Sequence, residues 1–131
     1  TDWNPVSWTT YHGDGSLLCS GPDGKPVPTI RLENYRDGME DFAYACILEE
    51  CIRRVQAKPK PTAAERRWLT TAQAALTVPT ELVTTMGEYS HDPQPLLAWR
   101  QALGKLIEQS GIRDANPWGR GFAARGFRRP E

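Results

Sequence analysis

Apolar residues recur at helical spacing in three stretches of the chain. They predict three helices, over about residues 29–57, 62–77 and 93–110. Side chains three or four positions apart share one face of a helix, which gives each of these helices an apolar side. Three amphipathic helices on short connections predict a small three-helix bundle. In the first helix the proposed apolar line consists of Tyr35, Met39, Phe42, Ala45, Cys46, Leu48, Ile52 and Val55.

The ends of the second and third helices carry recognisable signals. Residues 62–65 (Thr-Ala-Ala-Glu) form the pattern of a capping box. Asp92 is placed to cap the third helix, and Pro93 follows at the first helical position, where a missing N–H costs nothing. Gly111 stands where a helix often ends with a left-handed residue. These signals fix the expected boundaries more firmly than periodicity does.

The first 28 residues are rich in glycine, proline and aromatic residues and predict loops with one short hairpin. Residues 16–19 form a short apolar strand candidate, and residues 21–24 (Gly-Pro-Asp-Gly) form a turn signal. Residues 25–28 would return as the second strand, and Thr29 would cap the first helix. The chain therefore divides into a loop-rich segment (1–28), a helical bundle (29–111) and an Arg/Gly/Phe-bearing tail (112–131), and the fold class is mainly α.

Composition narrows the class of protein further. The 131 residues contain sixteen basic and sixteen acidic side chains, so the zero net charge gives no general attraction to nucleic acid or to a membrane. No apolar run approaches the ~18 residues of a membrane span. The chain is too short for a complete (β/α)₈ barrel, which needs at least ~200 residues. Cys46 and Cys51 are spaced poorly for a mutual disulfide and are expected to be small buried apolar residues, with a pair involving Cys19 left open.

Few residues have the spacing that catalysis or metal binding requires. His12 and His91 have no second histidine or cysteine at ligand spacing. No glycine-rich phosphate loop and no Gly-x-Ser-x-Gly nucleophile motif occurs. The sequence therefore predicts no catalytic residue, no metal and no cofactor.

One surface of the first helix is unusually charged. Glu33, Asp37 and Asp41 follow one another at i,i+4, where like charges repel by about a few tenths of a kcal/mol each. We expect this surface to form structural ion pairs, with a ligand-facing role as the alternative. Gly38, in the middle of the helix, predicts a close approach by another backbone or ring. The proposed ion-pair motif consists of Arg31, Glu33, Arg36, Asp37, Glu40 and Asp41.

Aromatic and polar residues also gather near the start of the chain, at Trp3, Trp8, Tyr11, His12 and Asp14. Sugar sites commonly combine aromatic rings, which stack on C–H faces, with carboxylates, which accept hydroxyl hydrogen bonds. The alternative is that these rings cover the helices as a satellite core.

The tail repeats Arg-Gly-Phe at 120–122 and 125–127. A disordered or packed C-terminal extension is the favoured interpretation of this repeat, and contact with nucleic acid is the less favoured one.

Four motifs together resemble the C-terminal portion of glycoside hydrolase family 123-like proteins, also described as domain of unknown function 4091. The motifs are residues 13–18 (Gly-Asp-Gly-Ser-Leu-Leu), 21–24, 28–33 (Pro-Thr-Ile-Arg-Leu-Glu) and 36–42 (Arg-Asp-Gly-Met-Glu-Asp-Phe). Residues 89–107, with Asp92-Pro93 and Trp99-Arg100, are similar to the closing helix of that family. The resemblance covers roughly residues 7–110.

The resemblance implies that the chain is the end of a larger (β/α)₈-barrel protein that acts on 2-acetamido sugar glycosides. Such enzymes use an adjacent Asp-Glu pair for catalysis. This chain does not contain that pair, so the resemblance assigns no catalytic residue to the chain. The segment would be structural and would border the sugar site, with Trp8, His12 and Asp14 as the expected sugar contacts. Its expected partners are a carbohydrate and the rest of a larger polypeptide. A bacterial location, exported or cytoplasmic, fits the resemblance.

A freestanding helical protein-interaction module is the alternative function. In that case the exposed face of the first helix and the aromatic N-terminal segment would bind another protein. The sequence preceding residue 1 in the gene is the observation that best separates the two hypotheses.

Overall fold

The computed structural model describes residues 16–116, which form three helices and two short hairpins. The chain divides into two compact units, residues 1–40 and 41–131, and each is described by itself. The prediction of a mainly helical fold with three helices and a short two-stranded hairpin is confirmed. The barrel origin and the domain boundaries stay predictions. The predictions for residues 1–15 and 117–131 concern residues outside the described range.

The predicted hairpin is present in the first unit. Strands β1 (Leu18–Ser20) and β2 (Pro26–Pro28) pair antiparallel, with Cys19 opposite Val27. The turn between them closes through a hydrogen bond from the Gly24 amide to the Gly21 carbonyl at 3.0 Å. Gly24 has a φ of 75°, a backbone conformation that residues with a Cβ atom rarely adopt. The Gly-Pro-Asp-Gly signal in the sequence therefore marked the turn correctly.

Thr29 connects this hairpin to the first helix, α1 (Ile30–Gln56). Its amide donates to the carbonyl oxygen of Leu17 at 3.0 Å, and its hydroxyl donates to the same oxygen at 2.9 Å. The hydroxyl oxygen also lies 3.4 Å from the Leu32 amide, which donates to it in the first turn of α1. Thr29 thus caps the helix, as predicted, and also orders the chain that enters it.

The second unit contains the end of α1 together with α2 (Ala63–Ala75) and α3 (Pro93–Gln109). The three helices share one apolar core, and two tryptophans bridge the helices at its edge. The Trp68 indole N–H donates to the Leu106 carbonyl, and the Trp99 indole N–H donates to the Ala75 carbonyl, each at 3.0 Å. The buried core residues are Leu48, Ile52, Ala72, Leu103 and Leu106.

The predicted caps are all present. The Thr62 hydroxyl accepts from the Glu65 amide at 3.1 Å, and Glu65 accepts in return from the Thr62 amide at 2.7 Å. Asp92 accepts from the Gln94 amide at 3.0 Å, with Pro93 in the first turn. Gly111 follows α3 with a φ of 70°. The helix ends lie within two residues of the prediction because side-chain chemistry determines them locally.

The segment between α2 and α3 contains a turn and a second short hairpin. The sequence-based expectation for residues 80–86, after Pro79, is one further short turn. A turn is present, with the Leu82 amide donating to the Pro79 carbonyl at 2.9 Å. It leads into a second hairpin, β3 (Val83–Thr85) and β4 (Glu88–Tyr89), with a register irregularity between Val83 and Thr85. The β-branched run at residues 83–85 favours extended backbone, and this hairpin is an element that the sequence analysis did not predict.

The single apolar line predicted for α1 is also wrong, because the line contains two different faces. Successive residues of an α-helix are rotated by about 100°, so Cys46 and Leu48 are about 160° apart around the axis. Leu48 and Ile52 belong to the core, whereas Tyr35 and Phe42 are 61% and 49% exposed. Cys46 and Cys51 are buried, as predicted, and all three cysteines are free thiols.

Candidate functional site

The charged surface predicted on α1 separates into two groups of ion pairs. In the first unit, Arg36 is the centre of one group. Its guanidinium nitrogens lie 2.7 Å from Glu33, 3.8 Å from Asp37 and 3.9 Å from Glu40, measured to a carboxylate oxygen of each. All four side chains are substantially exposed, so each pair contributes about 0–1 kcal/mol. One arginine therefore offsets the repulsion among these carboxylates.

Asp41 belongs to the second unit and has a different partner. Its carboxylate accepts a hydrogen bond from Nε of Arg100 in α3. The Asp41 side chain is 13% exposed and that of Arg100 is 26% exposed, so this pair is far better shielded from water than the Arg36 group. The ion-pair motif predicted from the sequence includes only local basic partners, Arg31 and Arg36. Arg100 is 59 residues away, and no spacing rule connects it to Asp41.

Gly38 does not mark the close approach that its position in the helix predicted. A Cβ atom built at this glycine would meet no described atom within 4 Å. The helix therefore carries the usual cost of a glycine, about 1 kcal/mol relative to alanine, without a packing reason among the described residues.

Three apolar residues of α1 recur at helical spacing and form what we call the outer stripe: Tyr35, Met39 and Phe42. They recur three and four residues apart and therefore share one face of the helix. Tyr35 and Phe42 are exposed and Met39 is half-buried. None of the three residues belongs to the buried core cluster.

Two further glutamates are held ionised by basic neighbours. Glu50 accepts hydrogen bonds from Arg53 at 2.6 and 2.8 Å and from Arg54 at 2.7 Å, and these bonds lower its pKa from 4.5 to about 2. Glu65 accepts from Lys58 at 2.5 Å and from the Thr62 amide, and its pKa is likewise lowered from 4.5 to about 2. Both carboxylates serve structure, one in α1 and one in the cap of α2.

The expected sugar contacts Trp8, His12 and Asp14 lie outside the described residues, and so does the Arg-Gly-Phe repeat. Their roles stay predictions. Between residues 16 and 116, no group of three histidine, cysteine or acidic side chains is arranged to hold a metal ion. Among the helices described, none has the length and apolar content needed to cross a bilayer.

No family model, no curated protein and no solved structure matches this chain. The resemblance to glycoside hydrolase family 123-like proteins therefore rests on the motif residues of the sequence itself.

Proposed function

We propose that this chain is the helical end portion of a glycoside hydrolase-like protein that processes 2-acetamido sugars. In this role it packs against the rest of a larger polypeptide and borders the sugar site, and it supplies no catalytic residue. The proposal joins the motif resemblance to one structural observation, the exposed outer stripe on α1.

The position of the outer stripe carries the proposal. The outer stripe coincides with the Arg-Asp-Gly-Met-Glu-Asp-Phe motif at 36–42: Tyr35 directly precedes the motif, and Met39 and Phe42 belong to it. None of the three is in the buried core cluster. An apolar surface beside charged residues is typical of a contact with another protein surface. A helix that packs on a missing part of the same polypeptide would present such a surface in this motif.

The enzymatic part of the proposal is tested with the longest natural chain that contains these residues. We expect that chain to hydrolyse an aryl 2-acetamido-2-deoxy-galactoside, with turnover reduced in Trp8→Ala and in Asp14→Ala. Met86→Ala is the matched control, since the Met86 side chain is 99% exposed. Unchanged turnover in both site variants would refute the sugar-contact assignment. Failure of the intact protein to hydrolyse any amino-sugar glycoside would refute the proposed activity.

The structural part is tested by placing charge on the outer stripe. We expect Tyr35→Glu to lower the melting temperature of the longer protein and to leave that of the 131-residue chain almost unchanged. Met86→Glu controls for an added charge at an exposed apolar position. If the two variants behave alike in the longer protein, the outer stripe is not the surface that packs against it.

The same exposure supports the alternative, a freestanding helical module that binds another protein through the outer stripe. The two functions differ in the gene that encodes the chain. An upstream coding region with barrel strands and an Asp-Glu pair supports the hydrolase proposal. A reading frame that starts and stops with these residues supports the interaction module.

A further inference from the structure

The β1–β2 hairpin of the first unit has two outer edges of different chemistry. The Gly21 amide donates to the Lys25 carbonyl at 2.8 Å, and the Thr29 amide donates to the Leu17 carbonyl at 3.0 Å. These two hydrogen-bonded pairs enclose the ladder of β1 and β2, and such pairs recur at every second residue of an antiparallel strand. Residues 17, 19 and 21 therefore direct their backbone groups toward β2, and residues 18 and 20 direct theirs away from it.

Proline protects the outer edge of β2. Pro26 lies opposite Ser20 and Pro28 lies opposite Leu18, so both prolines occupy positions whose backbone faces away from β1. A proline has no N–H, and an edge without these donors is a poor template for another strand.

The outer edge of β1 has no such protection. Leu18 and Ser20 each keep an N–H and a C=O on this edge, and within residues 16–116 no hydrogen bond to these outward groups is formed. The nearby apolar side chains Leu17, Leu18 and Val27 are between 42% and 53% exposed. A two-stranded hairpin gains stability from further strands that extend an apolar face. The sheet can therefore grow on the side of β1.

We propose that two copies of this chain associate through antiparallel pairing of β1 with β1 of the second copy. Pairing centred on Cys19 places Leu18 of each copy opposite Ser20 of the other. Each of these pairs exchanges two backbone hydrogen bonds through the outward N–H and C=O groups. Between them, Cys19 lies opposite Cys19 of the second copy. This association is independent of the sugar-processing function.

The symmetric pairing extends an apolar row across the sheet. Val27 lies opposite Cys19 within each hairpin, so these two residues and their equivalents in the second copy stand side by side on one face of a four-stranded sheet. Residues 16–22 contain no charged side chain, so no like charges oppose each other where the two copies of β1 meet. A second copy therefore matches this edge in backbone pattern, in apolar surface and in charge.

The prolines of β2 also determine how many copies can join. In the four-stranded sheet the two outer strands are the β2 strands, which carry Pro26 and Pro28 on their outer edges. A further strand cannot be added there, so the association closes at two copies and does not continue into a filament.

Sedimentation equilibrium of the 131-residue chain in reducing buffer, from micromolar to millimolar concentration, tests the association. We expect a monomer–dimer equilibrium with no larger species. Ser20→Pro removes the outward N–H from each copy and should weaken dimerisation by about tenfold or more. Ser20→Ala is the matched control, because it keeps this N–H, and it should dimerise like the unmodified chain.

A second variant tests the same edge without a change of backbone. Leu18→Lys places a charge on the edge strand and should also weaken dimerisation by about tenfold. Leu97→Lys is its matched control, since Leu97 is an exposed leucine of α3. Circular dichroism establishes that each variant retains its helices.

Cys19 reports the register of the pairing. Opposite residues at a position of this kind have Cα atoms about 4.5 Å apart, within the range of about 4.4–6.8 Å found for disulfides. Oxidised glutathione should therefore link two copies through Cys19, and it is itself reduced to two molecules of glutathione. Cys46 and Cys51 are buried, so Cys19→Ser should abolish the link. Cys19→Ser combined with Val83→Cys, which moves the thiol to an exposed position of β3, should cross-link about tenfold more slowly.

Four results would overturn the proposal. The first is a chain that stays monomeric at millimolar concentration, and the second is equal dimerisation of Ser20→Pro and Ser20→Ala. The third is assembly beyond the dimer, which would contradict closure by β2. The fourth comes from hydrogen exchange: equal protection of the Leu18 amide in dilute monomer and concentrated dimer would mean that another part of the chain already occupies this edge.

Discussion

The two halves of α1 carry equal numbers of charged residues but differ in how they are stabilised. Residues 30–40 and residues 41–56 contain five charged side chains each. No residue of the first half is buried, whereas all five buried residues of the helix lie in the second half. The second half is therefore ordered by packing on α2 and α3. The first half depends on the Thr29 cap, on exposed ion pairs and on continuity with the packed half.

Truncation of a buried leucine should separate the two halves most strongly. Leu48 in the second half is fully buried, and Leu32 in the first half is half-buried. We expect Leu48→Ala to lower the free energy of unfolding by about 3 kcal/mol, because it removes core contacts and leaves a cavity. Leu32→Ala, the same chemical change, should cost less than half as much. Urea denaturation followed by circular dichroism measures both values, and equal losses would contradict the comparison.

The second-largest difference between the two halves is expected in the coupling energies of their ion pairs. A double-mutant cycle on Asp41 and Arg100 is expected to give a coupling energy of about 1–2 kcal/mol, since the pair is hydrogen-bonded and mostly shielded. The same cycle on Glu33 and Arg36 should give at most about 0.5 kcal/mol, because both side chains are exposed. The cycles are measured by urea denaturation at low and moderate salt. Similar coupling energies would show that burial does not distinguish the two pairs.

Glycine substitutions test whether the first half of α1 lacks close neighbours. Gly38→Ala should raise the free energy of unfolding by about 1 kcal/mol, because the added methyl group meets no described atom and alanine favours the helix. Gly111→Ala should lower it by about 1 kcal/mol, because Gly111 has a φ of 70°. Thermal denaturation gives both signs. Destabilisation by Gly38→Ala would restore the idea that another group approaches the helix at this position.

Local chemistry explains which parts of this fold could be predicted from the sequence. The capping box at 62–65, Asp92 and Gly111 act within a few residues of themselves, so the helix ends were predicted correctly. The Asp41–Arg100 pair depends on how two distant helices pack, which spacing along one helix cannot reveal. The outer stripe was mistaken for core for a related reason. Periodicity identifies an apolar face, but only the arrangement of α2 and α3 decides which face they cover.

The smallest expected effect is a loss of stability at low pH, and it depends on the charged residues in the second half of α1. Hydrogen bonds from Arg53 and Arg54 lower the pKa of Glu50 from 4.5 to about 2 in the folded chain. Between those values the unfolded chain binds more protons than the folded one, so stability falls as the pH falls. The contribution of Glu50 is complete above pH 4.5 and is lost as the pH falls through about 2.

Glu50→Gln should therefore destabilise the chain at neutral pH and flatten its loss of stability between pH 4.5 and 2. Some loss remains in this variant, because the pKa of Glu65 is lowered over the same range by Lys58 and the Thr62 amide. Adding Glu65→Gln should remove most of that remainder. The free energy of unfolding is measured in urea at several pH values. If wild type and the double variant lose stability in parallel below pH 4.5, these two carboxylates are not the source of the acid sensitivity.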